Sequence, residues 1–229
     1  MGACSGLLRY GSCVLVPWGG YVALAWTGAA RLVAAPREEL LRAWEGRLLG
    51  GVTAPELLAA WMRPPALRAL LVATYLSFYA VLLATPAWLL WRGRHGAFER
   101  LRSRLALAGL LGYAAYFLVP ARSPYYVLAL YERPEFRFSQ GLVHRALEGR
   151  VAFLYDAFPS MHIAFAALIV GVVAVPEGAV FGVLWLGLLV LSTLATGAHW
   201  GLDAAAGLAL AALVAGVLNV VERPRRSRP

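Results

Sequence analysis

Residues 157–202 read AFPSMHIAFAALIVGVVAVPEGAVFGVLWLGLLVLSTLATGAHWGL, and Glu177 is the only Asp, Glu or Arg among them. Divided at Glu177, the stretch gives two apolar windows, Ala157–Pro176 and Gly178–Leu202, of 20 and 25 residues. A membrane-crossing helix needs about 20 mostly apolar residues, within a range of roughly 17–25. Each window therefore predicts a span, with a turn at Pro176-Glu177-Gly178. Outward from this pair the same test finds Tyr10–Ala30, Ala69–Trp91, Leu105–Ala121 and Ala204–Val221, of 21, 23, 17 and 18 residues. The expected fold is all-α: an integral membrane bundle of six transmembrane helices in a single multi-pass domain, residues 1–229.

Composition points the same way. Hydrophobic residues make up 61% of the chain and charged ones 14%, against about 45–50% and about 25% in soluble domains. That balance excludes an ordinary soluble domain, and it excludes disorder, which needs low hydrophobicity and high charge. All 21 basic residues are arginine, against 12 acidic ones, for a formal charge of +9. The arginines fall between apolar windows and not along one face, which fits membrane flanks and not a nucleic-acid footprint. Six spans place both termini on one side. Arg223, Arg225, Arg226 and Arg228 in the tail, and five arginines in the short stretch 92–104, mark that side as cytoplasmic. Within Pro36–Met62, Leu40, Leu41, Trp44, Leu48 and Leu49 recur at helical spacing among charged residues, with Glu38 and Arg42 spaced for an ion pair. This predicts an amphipathic helix lying in the membrane interface. Cys4 and Cys13 form neither a disulfide framework nor a metal spacing.

Ionisable groups at membrane depth are costly and mark candidate sites. Aspartate occurs only as Asp156 and Asp203, and histidine as His95, His144, His162 and His199. Pro159-Ser160 reads as a helix start with Ser160 at the N-cap. Such a start offers free N–H groups to a phosphate, and places His162 in the first turn. His199 and Asp203 are four apart, so on a helical turn they share one face. A carboxylate accepting from one ring nitrogen leaves the other as base or nucleophile; the alternative is that Asp203 only caps the last helix while His199 sits in a wet loop. The hairpin brings both histidines to one side of the membrane, on the extracytoplasmic side by the arginine count. His162 is 15 residues from Glu177 and His199 is 22, a difference of roughly 10 Å in helix, which a non-helical stretch near Thr196-Gly197 absorbs. Arg122, between Pro120 and Pro124, reaches the same side and carries the planar fork that suits phosphate. Tyr113 and Tyr116 share a helix face and receive no role. His144, Arg133, Arg137, Arg145 and Arg150 read as a solvated loop, and His95 as cytoplasmic. No Walker, Rossmann or zinc motif is present.

Phe-Pro-Ser-Met-His162, followed by His199-Trp-Gly-Leu-Asp203 and Gly207, resembles the paired motifs of the type 2 phosphatidic acid phosphatase superfamily, Pro-Ser-x-His and a terminal His-x₃-Asp. The resemblance covers about residues 112–216. The chain departs from the phosphatase branch: it lacks the Lys-x₆-Arg-Pro motif, and Ser192-Thr193 stands where that branch has Ser-Arg. Pro120-Ala-Arg-Ser-Pro124 looks more like the inositol phosphorylceramide synthase-like branch. The resemblance implies an enzyme acting on a phospholipid or lipid phosphate substrate, with no cofactor and no metal. It implies His199 as nucleophile, Asp203 as its partner, His162 as acid and base, and Ser160 and Arg122 as phosphate holders. A catalytically silent lipid-binding or lipid-moving protein of the same fold is the alternative.

Overall fold

The computed structural model describes residues 10–13, 19–24, 35–132, 155–173 and 176–221. Its elements are helical apart from one isolated parallel β-bridge, Ala121 to Asp156. Residues 10–13 and 19–24 are helical. Then follow α1 (Glu38–Leu48), α2 (Ala54–Leu58), α3 (Pro65–Trp91), α4 (His95–Leu118), α5 (Met161–Val173), α6 (Pro176–Ala195) and α7 (Gly201–Val221). Single turns at Ala59–Met62, Pro124–Val127 and Ala129–Glu132 join them. His144, Arg133, Arg137, Arg145, Arg150 and the arginine tail lie outside the described residues.

Among the described residues two helices, α3 and α7, are long and apolar enough to cross a membrane. Met161–Val173 and Ala179–Ala195 are apolar but shorter. α4 begins ten residues before its expected window, so Arg100, Arg102 and Arg104 ride on the helix and only Arg92–Arg94 is left to link it to α3.

The short helix α5 sits at the centre, packed against α3, α4, α6 and α7. Eight of its 13 residues are buried, among them Met161, Ile163, Phe165 and Ile169. Small residues let its neighbours close in. A Cβ on Gly207 of α7 would stand 2.5 Å from the Ser160 carbonyl, and one on Gly112 of α4 2.1 Å from the Met161 sulfur. Large apolar side chains are found on both sides: Phe98, Leu101, Leu105 and Trp200 are buried, and Leu110, Leu118, Phe181, Leu184, Leu213 and Val221 are exposed, while Ser160, Ser192, Thr196, His199 and Asp203 are buried. Small and polar contacts of this kind hold helices together in lipid.

The expected amphipathic segment is not one helix. Gly50 and Gly51, at φ 73° and 100°, end α1 in a conformation that only glycine adopts cheaply, and a Thr53–Glu56 capping box starts α2. The faces of α1 also differ from expectation. Leu40, Trp44 and Leu48 are exposed, whereas Glu38, Leu41 and Glu45 are buried. The carboxylates turn inward because partners wait there.

Candidate active site

The turn after α6 places His199. Gly197 has φ 75°, its N–H donates to the Leu194 carbonyl, and the Ala198 N–H donates to the Thr193 carbonyl. This is a Schellman ending. It stops the helix at Ala195 and folds Thr196–Trp200 back over the bundle, absorbing the depth mismatch in the region where the sequence left room for it. α7 restarts at Gly201 with its first turn capped by two carboxylates. Asp203 Oδ2 accepts from the Trp200 N–H at 2.8 Å, and Glu45 Oε1 from the Leu202 N–H at 2.9 Å. Glu45 Oε2 also accepts from the Ala54 N–H at 2.9 Å, so one buried carboxylate joins the starts of α2 and α7. Negative charge at a helix N-terminus meets the positive end of the dipole.

His162 arrives from the other motif. Ser160 is the N-cap of α5: its hydroxyl accepts from the Ile163 N–H at 3.4 Å, and its own N–H donates to the Asp203 carbonyl at 3.0 Å. The two motifs are thereby tied backbone to backbone. His162 Nδ1 then lies 3.1 Å from His199 Nε2.

Hydrogen-bonding capacity orders the protons. His199 Nδ1 is 3.1 Å from the Ala157 carbonyl and 3.6 Å from Asp203 Oδ2. A carbonyl only accepts, so Nδ1 carries the proton and Nε2 holds the lone pair. Leaving that buried N–H without an acceptor would cost about 1–3 kcal/mol. The ring N–H donates to the Ala157 carbonyl and not to Asp203 as expected, since Asp203 Oδ2, which accepts from the Trp200 N–H, stands 3.6 Å away, beyond hydrogen-bond range. Asp203 acts on the ring as a nearby charge. It is a helix cap as well, but His199 is only 4% exposed, so the wet-loop alternative does not describe it. The lone pair on His199 Nε2 faces the Nδ1–H of His162, whose Nε2 meets the Tyr79 hydroxyl at 3.0 Å and that of Tyr75 at 3.4 Å.

Arg122 joins the same end through its backbone and its side chain. The Ala157 N–H donates to the Ala121 carbonyl, the Tyr125 N–H to that of Gly197, and Trp200 Nε1 to that of Arg122 at 2.9 Å. Its guanidinium is about 39% exposed and donates through Nε to Glu38 Oε1 at 2.6 Å, with Nη2 2.5 Å from the same oxygen. The remaining N–H donors are not engaged by Glu38. Asp156 sits beside the site, its Oδ2 accepting from the Tyr21 hydroxyl at 2.7 Å. Burial pushes its carboxyl above the ordinary carboxylate range, and the Tyr21 hydrogen bond pulls against that. His95, first residue of α4, is exposed at the far end of a helix about 36 Å long. Tyr113 and Tyr116 pack together in the core.

Four contributors carried no usable sequence signal. The Ala157 carbonyl is backbone. Glu38 and Glu45 read as the wet face of an interfacial helix. Tyr79 lies within an apolar window, where a tyrosine hydroxyl four residues from that of Tyr75 was the one available hint.

Among the described residues no cluster of His, Cys, Asp and Glu could hold a metal ion. Comparison with curated proteins and with solved structures gave no significant match. The PAP2 superfamily, by contrast, matches residues 39–217, a range that takes in every element from α1 to the last turns of α7 and both histidine motifs, and the chain belongs to that superfamily.

Proposed function

We propose that this protein is a membrane-embedded phosphotransferase or phosphatase acting on lipid phosphate esters or phosphodiesters through a phosphohistidine. Membership of the superfamily supports phosphatase-type chemistry on phosphate esters. The observation that carries the finer reading is the 3.1 Å approach of His162 Nδ1 to His199 Nε2, with the His199 proton held on Nδ1. In the first step the Nε2 lone pair attacks phosphorus, the bond from phosphorus to the leaving oxygen breaks, and a protonated His162 gives its Nδ1 proton to that oxygen. Phosphorylated His199 keeps its Nδ1 proton and is cationic, and Asp203 stands close enough to compensate the charge. In the second step His162 takes the acceptor's proton, the acceptor oxygen attacks phosphorus, and the P–N bond breaks. Water as acceptor yields free phosphate; a lipid or polyol hydroxyl yields a new phosphodiester or ester. Ser160, the start of α5 and Arg122 hold the phosphate oxygens. A positioned general acid–base supplies about 10²–10⁴-fold and preorganised donors comparable factors.

The same reading has six spans, both termini in the cytoplasm and the site on the extracytoplasmic side. The Pro120–Pro124 segment, and the lack of the phosphatase-branch Lys and Arg, favour the inositol phosphorylceramide synthase-like branch. A silent lipid binder would have no use for two imidazoles aligned nitrogen to nitrogen beside a buried carboxylate. The test is to incubate purified protein with a panel of lipid phosphates and phosphodiesters, scoring free phosphate and new lipid products, and to trap labelled phosphate on the protein. Acid-labile label on His199 is the expected result. Turnover with no such label, or none of the panel turned over, overturns the proposal.

A further inference from the structure

The two histidines of the site have partners of opposite kinds. His199 Nδ1 faces a carbonyl and a carboxylate, which only accept. They pin one proton in place, which suits a nucleophile whose Nε2 must keep its lone pair. His162 Nε2 faces two phenolic hydroxyls, Tyr79 at 3.0 Å and Tyr75 at 3.4 Å, themselves 3.5 Å apart. A phenol both donates and accepts. It donates to the bare Nε2 of the resting ring, whose proton sits on Nδ1, and accepts from Nε2–H both in the charged ring and in the neutral ring left after Nδ1 gives its proton away. Changing between the two needs only rotation of an O–H about its C–O bond, with no shift of heavy atoms.

The rest of the cradle suits both charge states as well. Tyr75, Phe78 and Tyr79 lie on one face of α3, at i, i+3 and i+4. Their ring centroids stand 5.2, 4.8 and 5.6 Å from that of His162. Aromatic rings pack against a neutral imidazole and attract a charged one. A carboxylate at Nε2 would favour the charged ring throughout, and a carbonyl would face the bare Nε2 of the resting ring as a second acceptor. A hydroxyl serves the resting ring and also holds Nε2–H while Nδ1 gives a proton in one step and takes one in the next.

We infer that Tyr79 is a positioning residue for the acid–base step, holding His162 Nε2 by an amphoteric hydroxyl so that Nδ1 stays aimed at the leaving and entering oxygens in both protonation states. Tyr75 supports it from one turn away. The inference rests on the proposed role of His162.

Tyr79→Phe removes the hydroxyl and keeps the ring contact, so the bundle retains its packing. The experiment compares wild type, Tyr79→Phe, Tyr75→Phe and His162→Ala on a lipid phosphate ester, whose alkoxide needs a proton to leave, and on nitrophenyl phosphate, whose phenolate does not. Release of the first product is followed in single-turnover and steady-state assays. Tyr79→Phe is expected to lower kcat on the lipid ester on the order of tenfold, part of the general-acid contribution. KM should stay within about twofold, and nitrophenolate release should change much less. Tyr75→Phe should show the same pattern more weakly. If His162→Ala discriminates between the leaving groups and Tyr79→Phe matches wild type, or loses equally on both substrates, the role of Tyr79 is overturned and that of His162 stands. If His162→Ala itself does not discriminate, the acid–base role falls and takes the Tyr79 inference with it.

Discussion

The two ends of the bundle both bury charged groups, and they do so differently. At the end carrying the histidines, polar groups from α1, α5, α7 and two connecting segments meet one another: Glu45 with α2 and α7, Glu38 with Arg122, Ser160 with Asp203, His162 with His199. At the other end Arg104, buried on α4, donates through Nη2 to Oδ1 of the exposed Asn219 on α7 at 2.7 Å, while Arg102 and Glu99 form an exposed pair along α4. Each end also keeps buried polar atoms without a hydrogen bond: Glu38 Oε2 and Asp203 Oδ1 at the first, Arg104 Nε at the second. Such atoms cost stability and need a reason. At the first end the unpaired oxygens belong to carboxylates that touch the proposed site; at the second the unpaired nitrogen belongs to an arginine whose Nη2 bonds the neighbouring helix. The contrast separates variants that should silence the protein from variants that should only loosen it.

The largest effect is expected from His199→Ala, which should abolish turnover of lipid ester and nitrophenyl phosphate alike, because no leaving group replaces a nucleophile. Activity of this variant on either substrate would remove the distinction between the two ends. Asp203→Asn comes next. In a serine-protease triad the corresponding change costs about 10⁴-fold by releasing the wrong tautomer. Here the Ala157 carbonyl holds the Nδ1 proton, so the loss in kcat should be clearly smaller and reflect missing charge alone. A loss as large as the triad's would mean that the carboxylate, not the carbonyl, sets the tautomer.

Arg122→Ala is expected to lower kcat/KM on the order of 10²-fold, as the loss of one oxyanion donor does, and to strand the buried Glu38 carboxylate. Arg122→Lys should lose less, keeping charge without the fork. Adding Glu38→Gln to Arg122→Ala should restore thermal stability without restoring activity. If it restores activity too, Arg122 acts only by neutralising Glu38. The smallest functional effect belongs to the opposite end. Asn219→Ala removes this half-exposed hydrogen bond between helices and should cost about 0.5–1.5 kcal/mol of stability, read as a lower unfolding midpoint in detergent, with kcat unchanged. A fall in kcat there would tie the two ends together.

The amino-acid sequence by itself determined a large part of this protein. Long windows without charge predicted the helices α3, α5, α6 and α7, because burying or lipidating an apolar run depends on local composition alone. Ser160 as N-cap and the break near Thr196-Gly197 were legible for a similar reason: caps and glycine turns are written within a few residues. The pairing of His162 with His199 followed from one hairpin, whose ends must return to the same side. Tertiary structure alone decided the rest. The same heptad-like pattern in α1 fits an apolar face turned inward or outward, and only the Arg122 guanidinium and the bare N–H groups of α2 and α7 draw Glu38 and Glu45 inside. The extra start of α4 came from arginines that a charge-free window excludes but a helix tolerates. The acceptor for His199 is a main-chain carbonyl 42 residues away, and Tyr79 reaches His162 across 83. Side-chain spacing encodes which residues share a face of one helix; it does not encode how far that helix slides or turns against the next. Hydrogen bonds between elements depend on that register to within a few tenths of an ångström, and only packing of the whole bundle around α5 sets it.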